Sequence, residues 1–142
     1  MIHIDQLFWL PNWVQVPREV YLARLDAVVA QPRWIIDGNN PSTLDRRIPC
    51  ADTIVWLQSS RAVCYWRVMR RVIGSYGQVR PDMAAGCPER LDWDFLKYIW
   101  RFPKRYCPRM VSALDHHDAW SRTTILRSNA EAGAFLRNLS AA

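Results

Sequence analysis

The 142 residues suit one domain that can bury a core, and a composition that is half hydrophobic with eight Trp excludes a disordered chain. No apolar run reaches the roughly 18 residues of a membrane span, and Met1-Ile2-His3-Ile4-Asp5 lacks the basic-then-apolar opening of a signal peptide, so a cytoplasmic protein with no membrane partner is expected. The net charge is +6 and nearly all cations are arginine, whose planar fork matches phosphate oxygens, although arginine richness also follows from GC-rich coding.

In chain order, Ile2 to Ile4 predicts a short strand ended by Asp5, and Leu7 to Trp13 an aromatic loop. Pro17 suits the first turn of a helix whose Tyr21, Leu25, Val28 and Val29 share one face, and Pro32 ends it. Trp34 to Asp37 reads as a buried strand closed by Gly38-Asn39, and Thr53 to Leu57 as another. Ser59 or Ser60 caps the next helix. Its Ala62, Tyr65, Val68, Met69, Val72 and Ile73 gather on one side, Arg67, Arg70 and Arg71 on the other, and Gly74 stops it.

Residues 75–88, with Gly77, Pro81, Gly86 and Pro88, form a loop long enough to be a lid. Asp92 caps a helix with Trp93, Leu96, Ile99 and Trp100 inward, broken by Pro103. Tyr106, Met110, Val111 and Leu114 mark a further helix, and Thr123 to Leu126 a strand. Ser128-Asn129-Ala130-Glu131 is a capping box opening a last helix with Phe135, Leu136 and Leu139 inward. Apolar runs alternating with amphipathic helices predict a parallel α/β architecture.

Asp37 ends a strand, where ligands sit in open α/β sheets, and its carboxylate suits a Mg²⁺ ion or its waters. An Asp beside Gly is equally a turn former. Asp5 also ends a strand and either faces a ligand or caps the loop. Arg67 and Arg71 project from one helix face four residues apart, either to share an anion or to be solvated. Arg80, Asp82 and Arg90 lie in or beside the lid-like loop, where arginines can close on phosphates or serve solubility. His116-His117-Asp118 fits a helix C-terminus favoured by the dipole better than a catalytic set. The tryptophans fall mostly on core-facing positions, so packing is expected over base stacking. Cys50, Cys64, Cys87 and Cys107 form no C-x-x-C pair, which disfavours zinc and leaves reduced thiols as the expectation.

Three stretches together resemble one family. Ile2-His3-Ile4-Asp5-Gln6-Leu7-Phe8-Trp9 resembles its second strand and following loop, Trp34 to Asn39 its third strand, and Arg80 to Arg90 its lid. The family is the adenylate-kinase-like P-loop proteins of bacteria, often labelled topology modulation proteins, and the likeness spans essentially the whole chain. It implies a three-layer α/β/α fold of P-loop NTPase type with a parallel sheet. Residues 1–142 would be one domain with a lid-like insertion at about 75–91.

By that likeness the cofactors are ATP and Mg²⁺, the activity is phosphoryl transfer to a nucleotide or small molecule, and the partner is a nucleotide or small phosphorylated ligand. Asp37 would be the acid near magnesium, Arg67 would lie near the adenine, and Arg71 near the terminal phosphates. Arg80 and Arg90 would belong to the closing lid, Asp5 to the cofactor side, and Arg46 or Arg47 with Asn39 to the acceptor.

The chain departs from the family where the chemistry is densest. It contains no G-x-x-x-x-G-K-[ST], hence no nest of backbone N–H groups, no bridging lysine and no magnesium hydroxyl. Gln58 stands where relatives carry an acid, Asn40 where an aromatic is usual, and Val16 where a Thr would cap a helix. The fold is therefore expected to be N-terminally truncated. Its central first strand, between the Asp37 and Thr53–Leu57 strands, would be missing, so that two inner edges are unpaired or pair directly. Met1 is then an internal start or the start of a shortened remnant. Phosphoryl transfer by this chain alone should be weak or absent. Two other readings stand beside it: a basic module binding anions or nucleic acid, and a remnant completed by a partner.

Overall fold

The structure is a computed structural model and describes residues 1–140. Its elements run β1 (Ile2–His3), α1 (Ile4–Phe8), β2 (Trp9–Leu10), β3 (Val14–Gln15), α2 (Arg18–Val29), β4 (Ile36–Asp37), α3 (Leu44–Arg47), β5 (Ile54–Leu57), α4 (Arg61–Ser75), α5 (Trp93–Arg105), α6 (Cys107–His116), β6 (Thr123–Leu126) and α7 (Asn129–Ser140). No helix among the described residues is long and apolar enough to cross a membrane.

The mixture of helices with parallel strands matches the α/β expectation, but the described sheets are small and two-stranded. β1 pairs in parallel with β4, Ile2 opposite Ile36 and His3 opposite Asp37. β5 pairs in parallel with β6 from Ile54 opposite Thr123 to Leu57 opposite Leu126. β2 and β3 form an antiparallel hairpin. The two parallel pairs share no ladder, so each of their strands keeps one open edge among the described residues. Of the two outcomes expected for β4 and β5, direct pairing and separation, the structure adopts separation.

The core is divided in the same way. Trp56 of β5 packs with Ile48, Ala113, Leu114 and Ala119, while Ile4, Val16 and Tyr21 form a second cluster around β1 and α2. Val68, Val72 and Ile99 join α4 to α5. Met83, Ala84 and Cys87 form a fourth cluster inside the 75–91 segment, against Trp9 and Trp13. Strand β5 is buried on one face only: Trp56 is covered while Val55 and Leu57 are exposed. A strand of a doubly wound sheet would be covered on both faces.

Side-chain caps fix the starts of α4, α5 and α7. Ser60 Oγ accepts from Val63 N, Asp92 accepts from the amides of Asp94 and Phe95, and Ser128 and Glu131 cap each other reciprocally. Tyr21, Leu25 and Val28 are buried as their spacing demands. Several expectations need correction. Pro103 does not break α5, which continues to Arg105; the break comes where Pro108 opens α6, a position proline favours. Gly74 lies inside α4 and the helix ends one residue later. Trp93, Trp100, Met69, Ile73, Leu136 and Leu139 are exposed rather than inward, because few described elements cover the outer faces of α4, α5 and α7. The first strand ends at His3, and Ile4 opens the single-turn α1 inside the stretch expected to be a loop.

Candidate functional site

The carboxyl ends of β1 and β4 lie side by side, so that Asp5, one residue into α1, and Asp37 share a neighbourhood. His3 Nδ1 stands 3.0 Å from Asp37 Oδ2 and orients that carboxylate. Asp5 lies within electrostatic reach of Arg80, Asp82, Asp37 and Arg71, which come from three further segments of the chain. Loss of water around the Asp5 carboxyl raises its pKa; Arg80 opposes the rise, and Asp82 and Asp37 reinforce it. The Asp5 side chain still touches solvent.

Arg71 and Arg80 meet on Glu89, whose side chain is only 3% exposed. Arg71 Nη2 donates to Glu89 Oε1 at 3.2 Å, and Arg80 Nη1 to Asp82 Oδ2 at 2.6 Å. Both Nε atoms stand within 3.0 Å of Glu89 Oε2, yet that oxygen has no aligned donor and is held by charge contact alone. Arg71 also lies over the Phe95 ring at 5.6 Å. Tyr98 has its phenol pushed up to about 12, by burial first and then by Tyr106 and Asp5.

The lid-like segment is docked on the N-terminal hairpin. Gln6 Nε2 donates to Pro81 O, Asn12 N to Gly86 O, and Trp13 Nε1 to Pro88 O. Trp13 adopts a left-handed φ of 62°, held there by the Pro88 bond and by Arg90 over its ring at 5.3 Å. Gly86 has φ +76° and its missing Cβ would stand 2.8 Å from Pro11 Cβ, so glycine is what lets the two segments touch.

Of the other expected site residues, Arg47, Asn39 and Arg90 lie at the edge of this cluster, and Arg46 and Arg67 have partners on other elements. Arg46 pairs with Asp26 at 2.5 Å on the surface. Arg47 donates to the carbonyls of Gly38 and Asn40, bracing the turn after β4; burial lowers its pKa, but a guanidinium stays charged. Asn39 is exposed. Arg67 donates to Ser59 Oγ and Asn129 Oδ1 at the starts of α4 and α7, and Arg90 faces Asp92 at 3.5 Å and Trp13. His117 pairs with Asp45 at 3.1 Å, linking α6 to α3. His3, Glu89 and Tyr98 were not singled out in the sequence. The one available signal was Glu89 standing in a loop between Arg80 and Arg90.

No family model, curated protein or solved structure matches this chain. What the site can do therefore rests on its own chemistry. Two guanidinium groups share this neighbourhood with four carboxyls, of which Glu89 and Asp82 pair with them directly and Asp5 and Asp37 do not. A bare phosphate would be repelled, whereas a phosphate bridged by a divalent cation would match both charge signs. Among the described residues no three His, Cys, Asp or Glu side chains converge as a metal site. Together with the absent phosphate loop, this means that the residues present do not fit a self-sufficient magnesium–ATP centre. Two open hollows, of about 610 Å³ beside Asp45, Arg109 and His116 and about 340 Å³ between α4 and α5, lie away from the cluster.

Asp5 gives the site a pH signature. Its pKa is raised above the ordinary 3.8, so the folded state holds the proton more tightly than the unfolded chain. Its contribution to stability is thus fullest below pH 3.8 and is lost as pH rises through the folded-state value. Asp5→Asn is expected to stabilise the protein slightly at pH 7, on the order of a few tenths of a kcal/mol after solvent screening. The gain should vanish in denaturant titrations near pH 3.5.

Proposed function

We propose that the chain is a nucleotide-binding protein of the adenylate-kinase-like P-loop type. It carries the lid and the strand-end acids without a phosphate loop, so it holds a phosphorylated ligand and does not transfer its phosphate. The observation that carries this reading is the gathering of Asp5, Asp37, Arg71 and Arg80 from four segments onto one side of a docked lid. In this reading β1–β4 and β5–β6 are the halves of one three-layer α/β/α sheet whose central strand the chain does not supply. The excess of carboxyls implies that the ligand arrives with a divalent cation. Positioning and charge neutralisation perform nearly all of phosphoryl transfer. A chain without the backbone nest and lysine lacks both.

Calorimetric titration with ADP tests the reading. Weak binding is expected in millimolar MgCl₂, lost when EDTA replaces the salt and lost in Arg71→Ala. ATP turnover by purified residues 1–142 should stay at background. Robust turnover, or no heat with magnesium and millimolar ADP, would refute it.

A second reading, completion by another polypeptide, is favoured by the open strand edges and by the exposed Val55 and Leu57 of β5. It requires unfolding midpoints that rise with protein concentration if the partner is a second copy.

A further inference from the structure

The outer side of α5 carries a feature that the lid cluster does not use. Trp93 and Trp100 are 69% and 59% exposed, and Trp66 on neighbouring α4 is 67% exposed. On a helix of 100° per residue, Trp93, Lys97, Trp100, Arg101 and Lys104 fall within an arc of about 100°. Two large rings and three cations therefore share one face. Trp93 and Trp100 are seven residues apart, about 10 Å along the axis. Beside them runs the 340 Å³ hollow lined by Tyr65, Trp93, Leu96, Lys97, Trp100 and Arg101. Tyr65 Oη donates to Leu96 O at 2.8 Å, fixing α4 against α5 and setting the width of the slot. Arg61 of α4 lies over the Trp100 ring at 4.8 Å.

The charges on this face are mostly positive, with Asp94 as the one carboxylate. Lys97 meets Asp94 at 3.0 Å, but Arg61, Arg101 and Lys104 have no carboxylate partner among the described residues. Exposed aromatic rings interleaved with unpaired cations along a slot suit a flexible polyanion whose units carry flat faces. A membrane-lying helix separates its apolar arc from its charged arc. Here the two are mixed on one arc, which disfavours a lipid surface.

We infer that the α4/α5 slot binds single-stranded nucleic acid, with bases stacking on Trp93 and Trp100 and phosphates meeting Arg61, Arg101 and Lys104. This site is separate from the lid cluster, so either can fail without the other.

The test is fluorescence anisotropy of a labelled 20-residue oligothymidylate in 50 mM NaCl, with circular dichroism confirming each variant's fold. The wild-type chain should bind, with a log–log salt slope near −2, as about three phosphates on a single strand require. Trp93→Ala/Trp100→Ala should weaken binding at least tenfold. Trp93→Phe/Trp100→Phe should keep most of it, and Arg18→Ala/Arg33→Ala, at the start of α2 and in the turn after it, should leave it within about twofold. Equal binding by the Ala pair would overturn the inference. So would a failure to bind the oligonucleotide accompanied by Trp-dependent binding to phosphatidylserine vesicles or Trp-dependent self-association in sedimentation.

Discussion

Glu89→Ala is expected to destabilise the protein by about 3 kcal/mol, with a fall in Tm on the order of 10 °C. Glu89 is buried and stands within 3.0 Å of the Nε atoms of both Arg71 and Arg80, themselves partly buried. Truncating it leaves Arg71 with no carboxylate partner and Arg80 with Asp82 alone, two like charges side by side with little water. The backbone of residue 89 would remain in place, since Glu89 N donates to Gln78 O and Gly77 N to Glu89 O. The cost is therefore electrostatic rather than a loss of loop structure. The exposed pair of Asp26 and Arg46 provides the comparison: Asp26→Ala should cost under about 1 kcal/mol, because water and salt screen that pair. Replacing all three buried partners with apolar residues, as Arg71→Met, Arg80→Leu and Glu89→Leu, should restore most of the stability while removing ligand binding. Urea titrations of the single and triple variants measure both effects.

Trp56→Ala should cost about 3–5 kcal/mol, a large part of the 5–15 kcal/mol that holds a domain together. Trp56 is 7% exposed and is the side chain through which β5 joins Ile48, Ala113, Leu114 and Ala119. Truncation would leave a cavity bounded by α6 and the turn at Ile48, which the short β5–β6 pair cannot collapse to fill. Val55→Ala and Leu57→Ala, on the opposite face of the same strand, should each cost no more than about 1 kcal/mol because their side chains are already in water. Guanidinium unfolding of the three variants at low protein concentration reads out the asymmetry. Comparable losses at all three positions would mean that both faces of β5 are covered in solution, as completion by a second copy requires.

Elements governed by local chemistry were legible in the sequence. Asp92, Ser60 and the Ser128–Glu131 box cap helices because their oxygens sit two or three residues from the amides they accept. Tyr21, Leu25 and Val28 face inward as their i, i+4, i+7 spacing places them on one face of α2. Helix α5 defeated the same logic because it has aromatic residues on both arcs. Phe102 and Tyr106 stack, Tyr98 packs edge-on against Phe102, and Trp93 and Trp100 are left on the outer arc. The cations at 97, 101 and 104, on the tryptophan side, were the cue to the wetter arc.

At the site, Asp5 and Asp37 were singled out at strand ends, Arg80 in a glycine- and proline-rich loop and Arg71 on a helix face, and the structure brings the four into one neighbourhood. Glu89 was not, because its partners lie 18 and nine residues back and only folding shows that it is buried between them. The partners of Arg46, Arg47 and Arg67 were not legible for the matching reason. Their acceptors, Asp26, the Gly38 and Asn40 carbonyls, and Asn129, are brought to them by tertiary structure that local spacing does not encode.

The central claim is that the ends of β1 and β4 and the docked lid form one receptor for a cation-bridged phosphate. Titrating isotopically labelled protein with ADP in the presence of magnesium, and following backbone amide shifts by NMR, tests it most directly. Shifts should concentrate at residues 3–6, 37–39, 71 and 76–90 and disappear with EDTA. Shifts confined to other segments, or a spectrum that does not move with millimolar nucleotide, would contradict the account.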